Sequence, residues 1–226
     1  MRMRRKHNLD ERLEQASDLI IERTIADLNM KTSVAQKDYI DFKQVFGNDN
    51  AVELEIGCGK GKYITELAAR NPHVNYIAIE MLSNVIVEAC ERAKNAGLTN
   101  VRFMILRAEC LQSYFPSHSV SRIHINFPTP LPQKGYEKQR LTNGKFLSIY
   151  KDILAKGGEI YHKTDNKGMF EFSLCQFSQN GFALKNVSLD LLNSGYENNI
   201  MTEHEVKYSQ MNMPIYRLEA YLPENS

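Results

Sequence analysis

The sequence predicts an α/β fold: a seven-stranded, mostly parallel sheet with an antiparallel edge strand and helices on both faces. Three observations predict it. From residue 51 onward, short apolar runs alternate with segments of helical periodicity, and repeated β-α units demand parallel strands. A glycine-rich turn, Gly57-Cys58-Gly59-Lys60-Gly61, joins the first of these strands to the first of these helices. At the far end, residues 182–191 and 214–222 read as adjacent strands joined by a long loop, which suggests a hairpin-like antiparallel edge.

Ahead of the sheet, residues 8–28 carry a helical rhythm through Leu13, Ala16, Leu19, Ile20 and Ile25, with Asn8 or Asp10 as N-cap. Residues 29–50 are polar, and Gly47-Asn48-Asp49-Asn50 marks the turn into the first strand. Residues 1–50 are therefore expected to form a basic arm and helical extension, and residues 51–226 one domain. The first strand is 51–56, followed by a helix of about 60–71 that buries Ile64, Leu67 and Ala68 and ends at Asn71-Pro72. The second strand is 75–80. A helix from Ser83 then places Val85, Ile86, Ala89, Cys90 and Ala93 on one face and stops at Gly97.

Val101–Leu106 is the third strand and Val120–Phe127 the fourth. A proline-rich loop, 128–136, interrupts the alternation. Thr142 is expected to cap the next helix, which bears Phe146, Ile149, Tyr150, Ile153 and Leu154. Gly157-Gly158 leads into the fifth strand, Glu159–Lys163, and a helix over about 167–180 uses Phe170, Leu174 and Phe177.

With 42% hydrophobic and 24% charged residues, the 226-residue chain has the composition of a globular protein able to bury a substantial core. Its net charge of +1 points neither toward nor away from nucleic acid. Local charge says more: Met1-Arg2-Met3-Arg4-Arg5-Lys6-His7 is a cationic arm suited to phosphates, or else a solvated terminus. The four cysteines and six histidines lack metal-ligand or disulfide spacing, so no metal is expected. Cys90 and Cys175 fall on apolar helix faces as small core residues, while His124 and His162 lie on strands as packed histidines. No apolar run approaches the ~20 residues of a membrane span and no signal peptide opens the chain, so a cytoplasmic protein with reduced thiols is expected.

The glycine turn carries the first chemical signal. Such a turn exposes main-chain N–H groups and lets a ligand approach the backbone. Glu80 closes the second strand, where a carboxylate can accept hydrogen bonds from both hydroxyls of a ribose. A dinucleotide fingerprint needs its third glycine three residues after the second, but Gly61 follows Gly59 by two. Glu55, two residues before the loop, is poorly placed beside a pyrophosphate and well placed beside the cationic amino-acid end of S-adenosylmethionine. The plainer reading makes Glu55 a strand-end carboxylate and the glycines a tight turn.

Four segments in order then resemble the bacterial tRNA (guanine-N7)-methyltransferase family: FGNDNAVELEIGCGKG (46–61), INFPTPLPQKGYEKQRLT (125–142), YHKTDNKGMFEFSL (161–174) and NIMTEHEVKYSQMNMPIYRLEA (199–220). The resemblance runs from about residue 39 to the end and includes the basic opening. It implies a Rossmann-like class I methyltransferase that transfers a methyl group from S-adenosylmethionine to N7 of a guanosine in the tRNA variable loop. It implies tRNA as partner and a monomer or homodimer. Glu55 and Glu80, with Gly57 and Gly59, match the family's cofactor-binding positions, and Asp165, Thr202 and Glu205 its substrate-contacting ones.

Two segments depart from the family pattern. Arg107-Ala108-Glu109 stands where the family has Asp-Ala-Asp, so the adenine end of the cofactor is left to backbone groups or to Glu109. Thr129-Pro130-Leu131-Pro132-Gln133 replaces Asp-Pro-Trp-Pro-Lys, which puts threonine where the acidic residue is assigned as catalytic. The chemistry tolerates this. Guanine N7 has an in-plane lone pair and no proton, so no general base is needed, and catalysis is mainly alignment. The Thr129 hydroxyl and Asn126, at the end of the fourth strand, remain as hydrogen-bonding groups at the reacting base.

Lys134, Lys138 and Arg140, with Tyr136 among them, suit contact with phosphates and looped RNA, and Gln133 and Lys134 are expected on the substrate side. Two positions have structural readings as well: Asp165 as a helix N-cap, and Thr202 with Glu205 as a capping box. The departures leave open a tRNA-binding protein of the same fold without turnover. A small-molecule methyltransferase fits less well, given the basic arm and loop.

Overall fold

A computed structural model describes residues 5–24 and 36–223, and the chain divides into two compact units, Met1–Tyr114 and Phe115–Ser226. In the first unit β1 (Val52–Ile56), β2 (Asn75–Glu80) and β3 (Val101–Ile105) pair in parallel with β2 in the middle. Every residue of β1 is buried, as expected of a parallel strand. The register sets Ile56 beside Ile79 and Glu80 beside Ile105, so the strands end at one edge.

Helices α1 (Leu9–Gln15), α2 (Phe42–Phe46), α3 (Lys62–Arg70), α4 (Ser83–Asn95) and α5 (Leu111–Tyr114) accompany these strands. On α3, Ile64 and Ala68 are buried and Leu67 is partly so. On α4 the buried stripe is Ile86, Val87, Ala89, Cys90 and Ala93; Val87 joins it, whereas Val85 is only half-buried. Ala16 and Leu19 pack into the same core.

The helix expected over 8–28 ends at Gln15. Ser17–Leu19 form a 3-10 turn, Ile20 bridges Phe103 in parallel, and the Ile21 N–H donates to the Phe103 carbonyl at 2.9 Å. The exposed edge of β3 offers unpaired backbone groups, and satisfying them outweighs further helix in a β-branched segment. Ile25 lies outside the described residues, as do Arg2 and Arg4 of the basic opening. Lys6 is committed within the unit. Its side chain pairs with Glu88 and its N–H donates to Asn84 at 3.0 Å, while Arg5 pairs with Asp10. Arg12 completes the attachment of α1 with a two-pronged contact to Glu91, at 2.6 and 2.7 Å.

In the second unit β4 (Val120–Asn126) lies parallel to β5 (Leu154–Thr164), β7 (Tyr216–Tyr221) is antiparallel to β5, and β6 (Ala183–Ser188) is antiparallel to β7 at the edge. Among the described residues the two units thus carry seven strands, mostly parallel, with the antiparallel edge that the closing strand pair predicted. β5 begins five residues earlier than expected and contains Gly157 and Gly158. Gly157 takes φ +74°, and a Cβ at Gly158 would meet the Ala155 carbonyl at 2.9 Å, so the pair builds the irregularity between β4 and β5.

Helices α6 (Gly144–Ile153), α7 (Lys167–Gln179) and α8 (Glu203–Ser209) belong to this unit. Asn143, not Thr142, caps α6; Thr142 is buried instead, 2.9 Å from the Ser173 hydroxyl. Cys175 is exposed, contrary to its expected core role. It lies five residues from buried Phe170, about 140° around the helix.

His124 and His162 are packed within strands, as expected. His162 sits 3.1 Å from the Ile125 carbonyl and 3.2 Å from the Ser173 hydroxyl, and burial pulls its pKa from 6.5 down to about 4. The folded protein therefore holds the ring neutral, while the unfolded chain protonates it below about 6.5. Its contribution is fully present above pH 6.5 and is lost as pH falls toward 4. Thermal melts across this window are expected to lose up to roughly 3 kcal/mol that a non-titrating His162→Gln variant does not lose. Parallel profiles for the two proteins would refute this.

Candidate functional site

In the first unit, the strand register collects three predicted segments at one sheet edge: the loop after β1, Glu80 ending β2, and residues 107–109 after β3. The loop's course is fixed by Gly57 and Cys58 N–H groups donating to the Ile79 carbonyl, at 2.8 and 3.1 Å. Gly57, Gly59 and Gly61 all have positive φ, yet they serve different ends. A Cβ on Gly57 or Gly59 would meet nothing within 4 Å, so open space lies over that backbone. A Cβ on Gly61 would lie 2.5 Å from the Ala89 Cβ; this glycine lets α3 start against α4. The first two glycines form a cradle and the third is a packing contact.

Glu55 is buried at 2% exposure beneath this loop. Burial, then the negative charges of Glu55 and Glu80, push the Cys58 thiol well above its usual range, so it stays protonated. Glu80 is half-buried, and its Oε1 accepts the N–H groups of Met81 and Leu82 at 2.9 and 3.1 Å, which fixes the carboxylate plane. After β3, the Leu106 N–H donates to the Glu80 carbonyl at 3.1 Å, and Ala108 opens a 3-10 turn, Ala108–Cys110. Ala108 is buried, and Arg107 reaches back to Glu109 at 3.5 Å. The edge thus sets an open glycine cradle beside two carboxylates and a backbone turn, groups that can accept hydrogen bonds from a cationic or hydroxylated ligand.

In the second unit, Asn126 pairs with Lys163 in the β4–β5 register, and Phe127 leaves the strand at φ +49° with its N–H on the Lys163 carbonyl at 2.8 Å. Thr129 is exposed in the loop that follows. That loop is held from below by Arg140, whose Nε and Nη2 donate to the Leu131 carbonyl at 3.2 and 3.0 Å. Arg140 is itself buried, with its guanidinium over the Phe172 ring at 4.4 Å. It therefore cannot serve as the RNA-facing cation expected of it; the bent loop leaves a carbonyl that needs a buried donor. Gln133, Lys134, Tyr136 and Lys138 are exposed, on or beside a 3-10 turn over Lys134–Gln139.

Asp165 follows β5 but does not cap α7, because Asn166 does so by accepting the Met169 N–H at 2.8 Å. The Asp165 carboxylate instead faces Tyr208, and its charge pushes that phenol's pKa up. Thr202 and Glu205 form the capping box of α8. Glu205 is completely buried and accepts from Thr202 N–H and Lys163 Nζ, each at 2.8 Å, and from Asn199 Nδ2 at 2.9 Å. Lys163 Nζ also reaches the Ile200 carbonyl at 3.0 Å. This knot ties the 199–202 segment to the end of β5. Lys163 and Asn199 were not singled out from the sequence; the available signal was a lysine inside a strand of buried residues, with an acidic T-x-x-E downstream.

A family model described as "Putative methyltransferase" matches residues 49–218. Among curated sequences, the tRNA (guanine-N(7)-)-methyltransferase of Bacillus subtilis (strain 168) is 43% identical over 219 residues, covering 97% of this chain and 98% of that one. The protein of the same name from Listeria monocytogenes serotype 4b is 47% identical over 184 residues, covering 81% and 86%. Among solved structures, the 16S rRNA methyltransferase KamB superposes with a TM-score of 0.61 at 16% identity, covering 83% of this chain and 96% of that one. An antibiotic-related methyltransferase does so with a TM-score of 0.57 at 21% identity, covering 86% and 94%. These two likenesses show the fold, the Rossmann-like methyltransferase arrangement.

Proposed function

The chain belongs to the tRNA (guanine-N7)-methyltransferase family, and we propose that it methylates N7 of a guanosine in the tRNA variable loop with S-adenosylmethionine as donor. The observation that carries this reading is the edge of the first unit, where one register sets an open glycine cradle beside two carboxylates. Glu55, Gly57, Gly59, Glu80, Arg107, Ala108 and Glu109 are the residues that would hold the cofactor. Bound there, S-adenosylmethionine supplies a methyl group already activated on a sulfonium.

What this chain's residues must do is orient the guanine. N7 attacks with an in-plane lone pair, so no base has to remove a proton. Alignment of the reactants is worth up to ~7–11 kcal/mol. Asn126 and Thr129 are assigned to the guanine edge, Gln133 and Lys134 to phosphates, and Asp165 to the base or its ribose. Thr202 and Glu205 are assigned to the substrate side through the segment they hold, since Glu205 is buried in its own hydrogen bonds. Among the described residues no helix is long and apolar enough to cross a membrane, and a tRNA substrate favours the cytoplasm.

Single-turnover methylation of a tRNA transcript at saturating cofactor tests the assignment of Thr129. Thr129→Val keeps the shape and loses the hydroxyl; the expected fall in rate is roughly 2- to 12-fold, with cofactor affinity unchanged. Thr129→Asp is expected to match or exceed the parent, because a carboxylate favours the positive charge that develops on the purine. A Thr129→Val protein as fast as the parent would leave Asn126 as the residue at the guanine edge.

A further inference from the structure

Three aromatic rings stand in a row in the second unit. The Phe127 and His204 rings stack with centroids 5.4 Å apart and planes 11° apart, and His204 stacks on Tyr208 one helical turn later, at 6.4 Å and 25°. The row is built at some expense. Phe127 sits in the left-handed region at φ +49°, a strained conformation for a bulky side chain. Its ring follows directly from Asn126, and Tyr208 at the other end faces Asp165. His204 is exposed, so the row presents aromatic surface to solvent where a core contact would hide it.

We propose that the Phe127–His204–Tyr208 row is the platform on which the target guanine stacks once it leaves the tRNA; this rests on the reading of the chain as a tRNA methyltransferase. A base that reacts at an edge must first come out of its own stack, and an aromatic face replaces what it loses. The same face serves the reaction. As the N7–carbon bond forms and the carbon–sulfur bond breaks with its electron pair going to sulfur, the positive charge passes to the purine. An aromatic face attracts that charge. The knot of Lys163, Asn199 and Glu205 fixes the start of α8 and so holds His204 over Phe127.

Steady-state methylation of a tRNA transcript by the parent, His204→Ala and His204→Phe tests this. His204→Ala is expected to lower kcat/KM about 5- to 150-fold, the range for losing one stacked base, while cofactor affinity and melting temperature stay at parent values. His204→Phe keeps a ring and is expected to restore most of the loss. Two results would overturn the platform: His204→Ala as active as the parent, or His204→Phe as impaired as His204→Ala, which would assign the imidazole nitrogens rather than the ring. If His204→Ala fails to fold, Phe127→Leu is judged by the same fall in kcat/KM. A parent that leaves tRNA unmethylated refutes the methyltransferase reading itself, and is distinguishable from either result.

Discussion

Lys163→Met is expected to destabilise the protein by about 3–5 kcal/mol, the cost of leaving a buried charge without its partner. The Lys163 ammonium lies 2.8 Å from a Glu205 carboxylate that has no solvent exposure, and it also serves the Ile200 carbonyl and Asn199. Removing it leaves the carboxylate with only the Thr202 N–H and the Asn199 amide. In a protein of this size the melting temperature should fall by roughly 6–20 °C. Glu205→Leu alone should be similarly damaging, because it strands the ammonium and breaks the capping box. The double variant should be more stable than the sum of the single effects predicts, since neither charge is then left alone. Denaturant melts of the three variants check this. Additive losses, or single losses below about 1 kcal/mol, would mean the pair is solvated and does not hold α8 in place.

The second large effect is on cofactor binding. Glu80→Ala is expected to weaken S-adenosylmethionine binding by 1.5–3 kcal/mol, about 10- to 150-fold, because a charged acceptor for the ribose is lost. Glu80→Gln keeps an oxygen for the Met81 and Leu82 N–H groups and removes only the charge, so its loss should be smaller. Calorimetry with S-adenosylmethionine separates the two, with melting curves as the control for folding. Unchanged affinity in Glu80→Ala would move the ribose elsewhere on the sheet edge.

What the sequence disclosed and what it hid divide along a physical line. The strands β1 to β4 and helices α3, α4 and α7 were legible within a few residues because their apolar periodicity is local. The gathering of Gly57, Glu80 and residue 107 at one sheet edge was legible because parallel strands bring them together whenever the strands are placed correctly. Long-range satisfaction was not legible. Nothing near Ile20 announces that the Phe103 edge will draw the chain out of its helix. Nothing near Arg140 or Lys163 shows that one will serve the Leu131 carbonyl and the other a glutamate 42 residues away. Thr142 and Asp165 were each proposed as caps one residue before the asparagine that performs the task, since Asn143 and Asn166 are equally good caps. The glycine loop was read as a single device, and only the crowding at Ala89 separates Gly61 from the cradle.

The most direct measurement of the central claim is the nucleoside content of a tRNA transcript incubated with the purified protein and methyl-labelled S-adenosylmethionine. Near-stoichiometric label recovered as N7-methylguanosine from the variable loop, and none without protein, is the expected result. Label in another nucleoside, or tRNA that binds the protein and S-adenosylmethionine yet remains unlabelled, would contradict it.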